Sequence, residues 1–70
     1  MAFEIDSNIS IRENGKSFLT YYQDIFSIHP EYVMFELGVK AAERVAFKGL
    51  IQPEDKQEFY EGILEGHREL

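Results

Sequence analysis

The run PEYVMFELGVKAAERVAFK, residues 30–48, most constrains what this chain can fold into, because its apolar, small and charged positions all repeat at one helical spacing. On a 3.6-residue period Met34, Phe35, Gly38, Val39, Ala41, Ala42, Val45 and Ala46 share one broad face. Glu36, Lys40, Glu43, Arg44 and Lys48 fall largely on the other. A central amphipathic helix follows. Pro30 suits its first position, with Glu31 a favourable charge at the positive end, and Gly49 can take the left-handed conformation that caps the far end beside Lys48.

The flanking segments carry their own helical marks. Phe18, Tyr21, Tyr22, Ile25, Phe26 and His29 recur at the spacing of an amphipathic helix with Ser17 as its N-cap, and Pro30 stops it near Ile28. Pro53, Glu54 and Asp55 repeat the start pattern of proline and early acids, so a third helix runs from about Pro53 to Glu69, with Phe59, Tyr60, Ile63, Leu64 and His67 as its apolar positions. Gly62 and Gly66 each cost roughly 1 kcal/mol relative to alanine in a helix interior, so that helix needs a packing partner.

Upstream, Phe3, Ile5, Ile9 and Ile11 alternate with polar residues around the turn formers Asp6, Ser7 and Asn8. Asn14-Gly15 is a stronger turn mark, which either closes a hairpin with Ile11 opposite Phe18 or ends an extended arm before the first helix. The second reading is favoured, with the arm lying on the helices or on a second copy of the chain. The expected fold is therefore mainly α. It is one domain over residues 1–70, with an arm at 1–15 and helices at 17–28, 30–48 and 53–69. The alternative is α+β, with Phe3 to Ile5 paired to Ile9 to Glu13. Aromatics of the first helix cover the small-residue face of the second, and Phe59, Ile63 and Leu64 of the third close the other side.

Two constellations bear on function. Glu54, Glu58, Glu61, Glu65 and Glu69 form an acidic stripe on the third helix, and Lys40, Arg44 and Lys48 form a basic stripe on the second. A short connection makes these helices antiparallel neighbours, which places Lys48 near Glu54, Arg44 near Glu58 and Lys40 near Glu61 or Glu65. Such pairs set register more than stability. If the stripes point apart instead, Glu54, Glu58, Glu61 and Glu65 are free to steer a basic protein partner, or in a sharper form to mimic a phosphate backbone. Gly38, Ala42, Gly62 and Gly66 permit close backbone approach. They are expected either to pack the second helix on the third or to form the seam of a homodimer.

Composition narrows the rest. With thirteen acids against seven bases the chain carries a net charge of -6, which opposes direct binding to nucleic acid. No uncharged run is long enough to span a membrane, and a soluble cytoplasmic protein is the default. There is no cysteine, the two histidines have no ligand-spaced companion, and no nucleophile sits in a catalytic context, so neither an enzyme, a metal site nor a cofactor is expected. The four tyrosines read as core edges whose hydroxyls reach water or carboxylates, not as a base-stacking platform. No segment carries a motif specific to a family. The expectation is a small acidic protein-interaction module, with a self-assembling structural subunit as the alternative.

Overall fold

The computed structural model describes residues 3–22 and 30–69. It places three α-helices among them, α1 (Ile11–Tyr21), α2 (Glu31–Phe47) and α3 (Lys56–Arg68), the last preceded by a 3-10 turn at Pro53–Asp55. The mainly α, three-helix class holds. No strand occurs among the described residues, and of Ile9 to Glu13, the expected partner strand of the α+β alternative, Ile11 to Glu13 form the first turn of α1.

α1 starts at Ile11 rather than at Ser17, which is an exposed residue inside it. The true N-cap is Ser10, whose Oγ accepts from the Glu13 backbone N–H at 3.0 Å, with Glu13 three residues on as in a capping box. Asn14 and Gly15 make no turn; both are buried within the helix. Asn14 holds the preceding loop from there. Its Oδ1 accepts from the Asp6 N–H at 2.8 Å, and its Nδ2 donates to the carbonyls of Ser10 at 2.8 Å and Asp6 at 3.0 Å. Asp6 in turn accepts from the Asn8 N–H at 2.9 Å, so the stretch before α1 is a side-chain-braced turn. Upstream of it, Phe3 sets its ring edge-on to Phe18 and Phe59, at 5.1 and 6.1 Å between centroids. The expected continuation of the first helix through Ile25 and Phe26 to Ile28, and His29 after it, lie outside the described residues.

α2 matches its sequence pattern closely. Pro30 is its N-cap, one place earlier than expected, and the Pro30 carbonyl accepts from the N–H groups of Val33 and Met34 at 3.0 and 3.1 Å. At the other end Gly49 takes φ +77. The Gly49 N–H donates to the Ala46 carbonyl at 2.9 Å and the Leu50 N–H to the Val45 carbonyl at 3.1 Å, the paired bonds of a Schellman cap. That turn returns Ile51 to the core while Leu50 stays exposed. The buried face of α2 is narrower than the sequence implied: Met34, Gly38, Ala42 and Val45 are covered, whereas Phe35 and Val39 lie toward solvent. Gly38 meets the ring of Tyr60 and the side chain of Ile63 on α3.

The tightest contact joins α1 to α3. A Cβ on Gly15 would overlap the Phe59 carbonyl oxygen, and a Cβ on Gly62 would overlap the Arg12 carbonyl oxygen, so the two backbones cross where neither carries a side chain. One turn on, a Cβ at Gly66 would come within 2.9 Å of Leu19 Cδ2. Gly62 and Gly66 therefore pack α3 on α1, not on α2 as the small-residue pattern had implied, and they are buried inside one chain. Around this crossing Leu19, Met34, Phe59 and Ile63 are fully buried and form the core with Ala42, Val45, Ile51 and Tyr60.

Two consequences can be measured by urea unfolding. Gly15→Ala and Gly62→Ala should each lose about 2 kcal/mol or more through overpacking, although alanine favours a helix by about 1 kcal/mol over glycine; a stability gain would contradict the crossing. The Tyr60 hydroxyl, expected at a wet edge, is instead buried with no hydrogen-bond partner among the described residues. Tyr60→Phe should therefore raise stability, by about 1 kcal/mol, since an unsatisfied buried hydroxyl is removed at constant shape.

Candidate interaction surfaces

The glycine crossing decides where the charges go. Arg12 and Lys16 stand one turn apart on α1, beside Gly15, and the glutamates of α3 flank Gly62 and Gly66. Arg12 meets three carboxylates: Glu58 at 3.2 Å through Nε, Glu65 at 3.2 Å through Nη1 and Glu61 at 3.5 Å through Nη2. Lys16 continues the ladder to Glu69 at 2.8 Å and Glu65 at 3.5 Å. The expected pairing of this stripe with Lys40, Arg44 and Lys48 is not made. α3 turns its acidic flank to α1, because that is the side on which its glycines allow the closest approach. Glu54 is exposed on the 3-10 turn and pairs with neither Lys48 nor any other described residue.

Electrostatics within the ladder follow from its geometry. Hydrogen bonding from Arg12, then the charge of Lys16, holds the Glu65 carboxyl below its ordinary value of 4.5. Hydrogen bonding to Glu69, aided by the charges of Glu69 and Glu65, lifts Lys16 above 10.5, and the carboxylates of Glu58 and Glu65 raise Arg12 as well. These side chains are partly solvated, so each contact is individually weak. Three carboxylates around one planar guanidinium nevertheless fix the rotation of α3 against α1.

With the glutamates engaged elsewhere, the basic stripe of α2 is left over. Lys40 reaches only Glu36 on its own helix, at 3.4 Å, and Arg44 and Lys48 are exposed without an ion pair among the described residues. Together they rim a groove of about 360 Å³ floored by Phe18, Leu37, Ala41, Val45 and Leu50, and no acidic residue lines it among the described residues. A second surface runs along a different flank of α2. Tyr32, Val39 and Phe47 share one helical stripe, Tyr32 and Phe47 being 80% and 92% exposed, with Phe35 beside them resting edge-on against Tyr60 at 5.6 Å. Glu36 and Glu43 stand on that same stripe. Neither surface was visible as such in the sequence, where Phe35 and Val39 counted as core and the three cations as partners of α3.

Of the residues singled out from sequence, Gly38, Ala42, Gly62 and Gly66 all lie in helix-packing contacts, and Glu58, Glu61 and Glu65 converge on Arg12. Arg12 and Lys16 themselves went unnoticed. Reading Ser10-x-x-Glu13 as a helix start puts both on one face of α1 and would have found them. No group of three or more His, Cys, Asp or Glu side chains among the described residues is arranged to hold a metal ion, and none of the described helices is long and apolar enough to cross a membrane. No family model, curated protein or solved structure matches the chain.

The ladder sets a pH dependence whose sign is fixed. A carboxylate with a depressed folded-state pKa stabilises the fold above its unfolded value and loses that contribution as pH falls through the folded one. Glu65→Gln should therefore weaken the protein in urea at neutral pH, and the deficit should shrink at acid pH as the wild-type carboxylate is protonated too. An equal deficit at both pH values would show that Glu65 acts through packing alone.

Proposed function

We propose that the chain is a small protein-interaction module that acts by binding another protein, with α2 as its contact helix. The observation that carries this reading is the exposure of two whole aromatic side chains, Tyr32 and Phe47, on one stripe of a helix whose opposite side is anchored in the core. Aromatic side chains left in water on a supported helix are what a partner's apolar surface covers, and they are enriched at the centres of interfaces. Glu36 and Glu43 on the same stripe, together with the net charge of -6, favour a partner with a basic surface. Steering by the α3 glutamates is the weaker form of the proposal. Glu58, Glu61 and Glu65 already share Arg12, which leaves Glu54 as the unpaired one of the four, and a phosphate-mimicking role for the stripe has the same weakness.

The test is affinity capture from the native host with the wild-type chain and with Tyr32→Ser/Phe47→Ser, followed by mass spectrometry. Both substitutions are at exposed positions, so helix content by circular dichroism should be unchanged. The expected result is a partner retained by the wild type and lost at least tenfold by the variant. Equal retention would remove α2 as the contact helix, and capture of nothing by either chain would count against the module itself.

A further inference from the structure

We propose that the chain self-associates head to tail, the cation-rimmed groove of one copy receiving the acid-bearing aromatic stripe on α2 of the next. Both halves of this interface are present on one chain, on adjoining flanks of α2 that meet at the Lys40–Glu36 pair, with Arg44 and Lys48 on one side and Glu43 on the other left without an ion pair among the described residues. The groove supplies an apolar floor, Phe18, Leu37, Ala41, Val45 and Leu50, under Lys40, Arg44 and Lys48. The stripe supplies Tyr32, Val39 and Phe47 with Glu36 and Glu43. Apolar surface meets apolar surface, and cations meet carboxylates.

Spacing agrees as well as sign. At 1.5 Å of rise per residue, Glu36 and Glu43 are about 10 Å apart along the axis, and Lys40 and Lys48 about 12 Å, so the rows match once Glu36 and Lys40 exchange their exposed pair within one helix for partners on the next copy. A single-headed amphiphile would engage one cation of this row and leave the others over an apolar floor; a helix carrying two acids matches the row. The overall acidity of the chain does not oppose this at contact range. Charge repulsion between copies is screened beyond about 8 Å at physiological ionic strength, and the acids of α3 are turned toward Arg12 and Lys16, outside the lining of the groove. Because groove and stripe are different patches, the contact is heterologous: it propagates into a ring or an open chain and does not stop at a two-fold dimer. The seam expected from the small residues is not available for this role, since Gly38, Ala42, Gly62 and Gly66 are buried within one copy.

This interaction uses the same stripe as capture of another protein and would compete with it, so it is tested on the purified chain alone, by sedimentation velocity over about 10 µM to 1 mM, a range that brackets weak association. Wild type should gain mass continuously past the dimer. Reversing the groove with Arg44→Glu/Lys48→Glu, or the stripe with Glu36→Lys/Glu43→Lys, should each weaken association at least tenfold. Mixing the two reversed chains, or combining all four changes in one chain, should restore it, because opposite signs then face each other again. All four positions are exposed, and circular dichroism checks that each variant stays folded. A wild type that remains monomeric to about 1 mM, a mass that saturates at the dimer, or reversed chains that associate as well as wild type would each overturn the proposal.

Discussion

The contact of bare backbone between Gly15 and Gly62 is the constraint on which the rest of this structure depends. Helices bearing side chains at such a crossing keep their axes about 8–10 Å apart; removing both Cβ atoms lets α1 and α3 come together until a carbonyl of each lies against the other's glycine. Everything nearby takes its place from that approach. Leu19 closes over Gly66, Phe59 and Ile63 are sealed from water, and Arg12 and Lys16 are delivered to the edge of α3 where the glutamates stand. A small chain without cysteine has few other means of rigidity, and close packing serves in place of a covalent staple.

Charge then divides the molecule unevenly. Four acids on α3 and its C-cap gather on two bases of α1, and that leaves Arg44 and Lys48, with Lys40 paired to Glu36, beside a groove with no acidic residue in its wall among the described residues. A protein that is acidic in sum thereby keeps one locally basic surface. Net charge describes its long-range field, whereas what two surfaces meet at contact is set by which partners the fold has already consumed.

How much of this was legible in the sequence depended on whether the deciding contact was local. α2 and its Gly49 cap were read almost to the residue, since proline, helical period and a C-terminal glycine act within a few positions of themselves. The start of α3 was legible for the same reason to within a turn: the chain turns at Pro53 as expected, but Pro53–Asp55 form a 3-10 turn and the α-helix begins at Lys56. The start of α1 was not, because Asn14-Gly15 has the local chemistry of a turn and a tertiary role that overrides it: Asn14 is buried holding the Asp6 loop, and Gly15 is there for the sake of Phe59 and Gly62. The charge pairing failed likewise. Joining α2 to α3 by a short bend made them seem the natural ionic partners, but the glutamates follow the flank on which α3 has no Cβ, and that flank belongs to a helix from the other end of the chain.

The ion pairs from Arg12 to Glu58 and Glu65 connect residues 46 and 53 positions apart, whereas the bonds of Asn14 reach back no more than 8. These two scales imply an order of events during synthesis. The capped turn around Asn14 can form as soon as it leaves the ribosome, but α1 has no groove of backbone to enter until the segment carrying Phe59, Gly62 and Ile63 has also emerged. At roughly 5–20 residues per second that interval lasts a few seconds, during which Phe18 and Leu19 wait without cover. Nascent chains are thus most exposed to chaperones, or to one another, until the segment carrying Gly62 is free to meet α1.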